Sequence, residues 1–223
     1  MLKKPWDSEN TSCKALSPDS LSPATQRSVD EIQSRNLTAA MPRLFSMKKH
    51  NATRLHYDLR LAHNGVLKSW AVPAGPSYFP GHQREAIQVE DHRREYAFFE
   101  GVIRGKPGAG TVMQWDWGTW EPFPDYTDVD ACLRNGPLRF ILHGEKLEGI
   151  WVLIRLKRFS RNRRSPIWLL IKEQDSFARG ITARNIVEES PHSISTQRTL
   201  EEIAQDWTRG KPKNKLQGEL FDE

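Results

Sequence analysis

Short apolar runs separated by turn residues fill the middle of the chain, beginning near Leu44. The runs are rich in Val, Ile, Leu, Trp and Phe, and Gly, Pro and Asn stand between them. The pair Asn64-Gly65 between two such runs is a strong signal for a tight hairpin. The pattern predicts strands over 54–61, 66–73, 86–90, 97–103, 110–115, 138–143, 150–156 and 167–172. Because no repeated helix separates them, these strands predict a mainly antiparallel barrel or sandwich rather than a parallel α/β sheet.

Two short helices complete the predicted elements. Residues 128–135 combine an acidic start with the apolar spacing of a helix. Residues 200–207 have the same spacing, with Thr199 as a candidate N-cap and Glu202 three positions later. That pair is typical of a capping box, in which each residue satisfies a backbone N–H of the other.

Apolar density falls on both sides of the strand-rich region, which suggests three segments. Residues 1–42 are rich in Ser, Thr, Asn, Pro and charge, so we expect a flexible N-terminal arm. Residues 43–176 form the expected β domain, and 177–223 the expected C-terminal tail with one short helix. The predicted fold class is therefore mainly β, with a few short helices and irregular N- and C-terminal tails.

Composition narrows the class of protein only a little. Lys and Arg number 33 against 28 Asp and Glu, a formal charge of +5 that favours polyanionic partners without establishing them. Cys13 and Cys132 are too few for a disulfide framework or a four-cysteine zinc site. No apolar run is long enough to cross a bilayer, and the first residues lack a secretory pattern. We therefore expect a cytoplasmic protein with no membrane partner.

The most informative segment is the predicted strand at 54–61, because its two faces differ sharply. In an extended strand alternate side chains share a face. The apolar face consists of Leu55, Tyr57, Leu59 and Leu61, and the polar face of Arg54, His56, Asp58 and Arg60. The simplest interpretation of the polar face is a solvated surface with salt bridges.

Two features favour a functional interpretation of that face. His56 and Asp58 present an imidazole nitrogen and a carboxylate oxygen at a separation that one divalent ion bridges, and His50 just before the strand supplies a third ligand. Two histidines and one carboxylate leave coordination positions open for water or substrate. The arginines beside them suit a phosphate, because guanidinium binds phosphate oxygens bidentately.

A second polar set follows in residues 84–92. Alternation places Ile87 and Val89 on one face, and the opposite face would carry Arg84, Gln88, Glu90 and His92. His92 titrates in the range needed for proton transfer to a leaving oxygen. The alternative is that these side chains are structural.

A dense basic run at 155–164 is the third candidate feature. Its cations include Arg158, Arg161, Arg163 and Arg164, and Arg54 is a further candidate for nucleic-acid contact. Such density suits contacts with backbone phosphates, although a solvated hairpin loop is an equally good interpretation.

Short sequence blocks stand in a fixed order between residues 44 and 175. They are His50 to Arg60, Leu67-Lys-Ser-Trp70-Ala-Val-Pro73, Gly75-Pro76-Ser77, Val89-Glu-Asp-His92, Phe99-Glu-Gly101, Gly108-Ala-Gly-Thr111, Trp115-Asp116, Gly118-Thr119-Trp120, residues 144–151 and Trp168-Leu-Leu-Ile-Lys172. Together they resemble the 3′-phosphoesterase domain of bacterial DNA ligase D. Residues 199–203 resemble the segment that follows this domain. Since 223 residues leave no room for a polymerase or ligase module, a stand-alone version is expected.

The resemblance implies a small closed antiparallel β-barrel and an activity that depends on Mn²⁺ or another divalent transition metal. Family members remove a 3′-terminal ribonucleoside and then the 3′-phosphate, leaving a 3′-hydroxyl. By position, the resemblance implies metal ligation by His50, His56 and Asp58, and phosphate contacts by Arg60, Arg84, His92 and Tyr96. It implies a monomer near the nucleoid that acts on DNA 3′ ends (primer–template or ribonucleotide-tailed), with DNA ligase D and Ku as possible partners.

The chain departs from the family pattern at several positions. Ala74 stands where the family usually has a lysine, Pro107 replaces a tyrosine, and the arm offers only Arg27 and Glu31 as weak matches. These departures favour an alternative, a non-catalytic module that binds nucleic-acid ends and recruits repair proteins. A third hypothesis is an iron-dependent oxygenase, in which His143 would be the distal ligand.

Overall fold

The computed structural model describes residues 43–105, 108–156 and 165–208, except for the side chains of 206–208. Nine strands form one sheet in this part of the chain. They are β1 (Leu44–Asn51), β2 (Leu55–His63), β3 (Val66–Val72), β4 (Arg84–Arg93), β5 (Gly101–Ile103), β6 (Gly110–Pro122), β7 (Leu138–Gly144), β8 (Glu148–Arg155) and β9 (Ile167–Lys172).

Eight of these strands close into a barrel. The order is β1-β2-β3-β4-β9-β8-β7-β6, and β6 pairs with β1 to complete the ring. Every pairing is antiparallel, and β5 adds outside the ring along the first part of β6. The expected closed antiparallel β-barrel is therefore confirmed.

Large aromatic side chains fill the interior of the barrel. Trp70, Trp115, Trp151 and Trp168 are almost completely buried. Trp70 and Trp168 meet edge to face, with 5.9 Å between ring centroids. Such rings bury roughly 150–250 Å² each, so a small barrel gains much of its apolar burial from few residues.

Three α-helices lie among the described residues, namely α1 (Val129–Asn135), α2 (Ile186–Glu189) and α3 (Leu200–Thr208). Both helices expected from the sequence are confirmed. α3 begins with the predicted capping box, because Glu202 N–H donates to Thr199 Oγ1 (3.2 Å) and Thr199 N–H donates to Glu202 Oε2 (2.8 Å). None of the helices described here has the length and apolar content needed to cross a bilayer.

The segment after β9 packs against the barrel. Ile186, Leu200 and Ile203 are buried in the same apolar cluster as the barrel interior. The buried carboxylate of Glu100 accepts hydrogen bonds from Ser193 Oγ (2.5 Å) and Thr196 Oγ1 (2.6 Å). Residues 177–203, which the sequence suggested as part of a tail, thus contribute to the folded core through a few well-placed apolar side chains.

Most strands begin or end within a few residues of the expected bounds, and the larger differences lie in three places. The first half of the expected strand at 97–103 is wrong, because a 3₁₀ helix (Arg94–Phe98) folds over the barrel before the short β5. β1 was not expected, and β6 continues seven residues beyond the predicted end at 115, to Pro122. Of these additions, β1 carries His50 of the candidate site.

Candidate metal and phosphate site

The hairpin of β1 and β2 brings three potential metal ligands together. His50 lies directly opposite His56 in the strand register, with 4.8 Å between ring centroids. His50 Nδ1 is 3.6 Å from Asp58 Oδ2, and His56 Nε2 is 3.4 Å from Asp58 Oδ1. One ligand atom from each residue lies within 4.8 Å of the others. His50 belongs to β1 itself, and strand pairing rather than loop position places it here.

The hydrogen bonding of the two imidazoles fits a divalent metal. His56 Nδ1 lies 2.9 Å from the carbonyl oxygen of Arg54, so this nitrogen donates its proton there and Nε2 keeps a lone pair toward Asp58. Metal-bound histidines usually fix their tautomer in this way. His50 Nε2 is buried and has no hydrogen-bond partner among the described residues. Two imidazoles and a carboxylate suit Mn²⁺, Fe²⁺ or Zn²⁺, so the residues fit an ion without selecting one.

The charges around Asp58 favour its ionised form. Burial alone would raise the pKa of this carboxyl, but its contacts with His50, His56 and Arg60 hold the pKa far below its usual value. When the His56 ring is protonated, its Nε2–H donates to Asp58, and this hydrogen bond raises the pKa of His56. The carboxylate is therefore charged at neutral pH, as a metal ligand must be.

Arg60 is a buried cation with unused hydrogen-bond donors. The residue is only 4% exposed, and its Nη2 lies 3.3 Å from Asp58 Oδ2. Its Nε and Nη1 are buried without a partner in the part of the chain that the structure describes. Buried donors without partners cost stability, so their retention beside a metal-ligand set indicates a site for an anion.

The 3₁₀ helix covers this face of the sheet and supplies Tyr96. The Arg60 guanidinium lies 4.6 Å from the centre of the Tyr96 ring. Lys48, fully buried on β1, donates from Nζ to the carbonyls of Ala97 (2.6 Å) and Phe99 (2.7 Å). Burial raises the pKa of Tyr96 to about 12, so its hydroxyl keeps its proton.

His92 reaches the same face for a reason that simple alternation missed. The register of β3 and β4 changes between Leu67 and Ser69, so a β-bulge inserts one residue into β4. His92 therefore shares a face with Val89 and Ser69, and the prediction that it shares one with Arg84 is wrong.

Hydrogen bonding fixes the tautomer of His92. Ser69 Oγ donates its proton to the Leu67 carbonyl (2.9 Å), so it accepts from His92 Nδ1 (3.2 Å). Burial, followed by the charge of Arg60, lowers the pKa of His92. The neutral ring then carries a lone pair on Nε2. The ring centroids of His92 and Tyr96 are 5.5 Å apart, so His92 contacts the same tyrosine ring that the Arg60 guanidinium contacts.

Among the described residues, no hydrogen bond or ion pair joins Arg84 to the residues grouped so far. It pairs with Leu170, a core position of β9, at the start of β4. Its Nη2 lies 3.4 Å from His82 Nδ1, and its Nε is buried without a partner among the described residues. Arg54 is exposed in the turn before β2. Arg158, Arg161, Arg163 and Arg164 lie outside the described residues.

The structure also shows where His143 and Ala74 lie. His143 forms an exposed pair with Glu121 (3.1 Å) and is not part of the metal-ligand group found among the described residues. The oxygenase hypothesis thus loses its distal ligand. Ala74 precedes Gly75, whose φ of +68° requires a glycine-like conformation and whose Cα faces the Tyr57 ring.

Sequence reasoning did not select Lys48 or Ser69, although both support the site. Lys48 holds the 3₁₀ helix, and Ser69 orients His92. The signal for Lys48 was the alternation of β1, where Ser46, Lys48 and His50 form a polar face. Nothing local to Ser69 distinguishes it from an ordinary strand serine.

Comparison with known proteins agrees with this arrangement. Residues 48–155 match the family model described as the DNA Ligase D 3′-phosphoesterase domain. The barrel belongs to this family. The family description names phosphoester hydrolysis, and the matched range contains Lys48, the metal-ligand group, Arg60, His92 and Tyr96.

Individual relatives are similar to the chain over 114 to 157 residues. The chain is 46% identical over 157 residues to the multifunctional non-homologous end joining protein LigD of Pseudomonas aeruginosa. This match covers 70% of this chain and 18% of that protein. The proteins of that name from Mycolicibacterium smegmatis and Mycobacterium bovis are 41% and 43% identical over 118 and 114 residues. These matches cover 51% and 50% of this chain and 15% and 14% of those proteins. The chain thus spans less than a fifth of each relative.

Proposed function

We propose that the protein is a metal-dependent phosphoesterase that heals DNA 3′ ends. It removes a 3′-terminal ribonucleoside and then the remaining 3′-phosphate, leaving a 3′-hydroxyl. The observation that carries this proposal is the position of Arg60, whose unused buried donors lie beside the two histidines and Asp58. A phosphate between them satisfies both the guanidinium and a metal.

Each residue around the phosphate has a distinct task. A divalent ion held by His50, His56 and Asp58, most simply Mn²⁺, supplies a Lewis acid for the phosphoryl oxygens. Arg60 donates from Nε and Nη1 to non-bridging oxygens, and these charge-assisted bonds strengthen as negative charge develops. Tyr96 keeps its hydroxyl proton and is available as a further donor.

His92 is the best placed residue to accept a proton. Its lowered pKa keeps it neutral at neutral pH, and Ser69 occupies its Nδ1. The Nε2 lone pair then suits removal of a proton from the attacking water, and solvent protonates the leaving oxygen on the opposite side of the phosphorus. Arg84 is proposed as a further phosphate contact, at the start of β4. Arg54, exposed beside the metal ligands, is proposed to contact the DNA backbone.

The biological setting follows from the relatives. Their names describe non-homologous end joining, so we propose that the substrate is a broken DNA end that needs a 3′-hydroxyl before extension or ligation. Such work would take place at bacterial chromosomal DNA. A DNA ligase D and Ku are the proposed partners, because they would act on the same end.

The test is turnover by the full chain of a 5′-labelled primer–template that ends in a 3′-ribonucleotide or a 3′-phosphate. With Mn²⁺ we expect the 3′-phosphate and then the 3′-hydroxyl product, and a chelator should abolish both. His56→Ala and Arg60→Lys should lower kcat by roughly 100-fold or more, the scale for losing one preorganised electrostatic contact. His63→Ala is the matched control, since His63 pairs with Asp130 of α1.

Two results would count against the proposal. The first is no product from wild-type protein, and the second is equal product from His56→Ala. DNA-end binding without turnover and without dependence on a chelator would instead select the non-catalytic module that Ala74 favours.

A further inference from the structure

We propose that Phe98 and Trp117 form a stacking platform for a nucleobase of the strand whose 3′ end is processed. This inference rests on the proposed function. Phe98 belongs to the 3₁₀ helix and Trp117 to β6, and the two rings meet edge to face with 5.4 Å between centroids. Phe98 is 53% exposed and Trp117 is 38% exposed, which is unusual for rings of this size.

The strand register connects the platform to the phosphate donors. Trp117 lies opposite Ser46 on β1, and Ser46 lies opposite Arg60 on β2. Directly paired residues share a face, so Trp117 and Arg60 point to the same side of the sheet, two strand spacings or about 10 Å apart. The 3₁₀ helix also links the platform to Arg60, because its Tyr96 contacts Arg60 and its Phe98 contacts Trp117.

This distance matches a nucleic-acid strand. Stacked nucleotides advance about 3.4 Å each, so a strand with its terminal phosphate at Arg60 places a base within about three steps over the platform. Aromatic rings stack on any base, which gives affinity without sequence preference.

A nucleobase explains the exposed rings better than a protein partner does. The pair is a single aromatic contact that continues directly from the candidate phosphate site. A protein interface of standard size would need about 800 Å² per partner. The platform therefore holds the base and lets Arg60 receive the terminal phosphate in register.

The test measures binding of full-length protein to 5′-fluorescein strands that end in a 3′-phosphate, with a chelator present so that they are not hydrolysed. One strand is intact, and the others carry one abasic tetrahydrofuran unit at each of the last four positions. For wild type we expect one abasic position to raise Kd about tenfold, the scale of one base–aromatic stack. The Phe98→Ala/Trp117→Ala variant should bind all strands with that weaker Kd.

Control variants separate stacking from folding. Phe98→Tyr and Trp117→Phe keep the rings and should keep the sensitivity to the abasic unit. Phe177→Ala removes another exposed phenylalanine, from the segment after β9, and should behave as wild type. Equal binding of intact and abasic strands by wild type would overturn the platform. Turnover of a 3′-phosphate strand is measured on the same preparations, so a wild type that turns over but ignores the base refutes only the platform.

Discussion

Lys48→Met should destabilise the fold and the site together, because Lys48 fastens the 3₁₀ helix to the barrel. Its buried Nζ donates to the carbonyls of Ala97 and Phe99, at 2.6 and 2.7 Å. Methionine fills a similar volume without a donor, so no large cavity forms. Each carbonyl left without a partner costs about 1–3 kcal/mol. Removing the buried charge offsets part of this, since burial already lowers the pKa of Lys48. We expect a net loss of about 2 kcal/mol.

Urea unfolding and turnover together test this reasoning. The free energy of unfolding of the variant should be about 2 kcal/mol lower than that of wild type, and the m-value should be unchanged. Its kcat should fall roughly tenfold, because Tyr96 belongs to the 3₁₀ helix that Lys48 no longer holds. A small displacement of a side chain at the site is enough to slow catalysis by this factor. Lys49→Met is the matched control, since that ammonium lies over the Tyr57 ring at 6.0 Å. A Lys48→Met protein with wild-type stability, or one as active as Lys49→Met, would refute the account.

Two further predictions concern metal and pH. Mn²⁺ at about 100 times its Kd should stabilise the native state by about 2.7 kcal/mol, which corresponds to a rise in Tm of roughly 5–10 °C. The His56→Ala variant should show no such rise. An equal rise in the variant would disprove the metal site. Asp116 accepts from the backbone N–H groups of Glu145, Lys146 and Leu147, yet burial raises its pKa to about 6. Its stabilising contribution is present near pH 4 and lost as pH rises through 6, by up to about 3 kcal/mol. Urea unfolding should show this loss in wild type and not in Asp116→Asn.

Local patterns predicted the parts of the site that lie on one strand. The alternation of β2 correctly grouped His56, Asp58 and Arg60, because register within a strand depends only on the chain itself. The same alternation suggested a solvated face, whereas Asp58 and Arg60 are buried. Their cover is the 3₁₀ helix, which is distant in sequence, and a single strand carries no sign of it.

Features that arise between strands could not be predicted. The bulge in β4 turned His92 to the face of Ser69, and one inserted residue leaves no mark on the hydrophobic pattern. Leu55 illustrates the opposite error, since alternation assigned it to the core and it is 47% exposed at the start of β2. Both results depend on where neighbouring strands begin and end.

The position of β9 in the ring has a practical consequence for dissecting the protein. β9 lies between β4 and β8, although it is the last strand along the described part of the chain. A fragment cut at residue 155, where the family match ends, would lose this strand and leave two neighbours with bare hydrogen-bonding edges. Such edges recruit other chains, so the fragment would be expected to aggregate. Deletion studies should therefore retain the chain at least through Ile203, which is buried in the apolar cluster of the barrel interior.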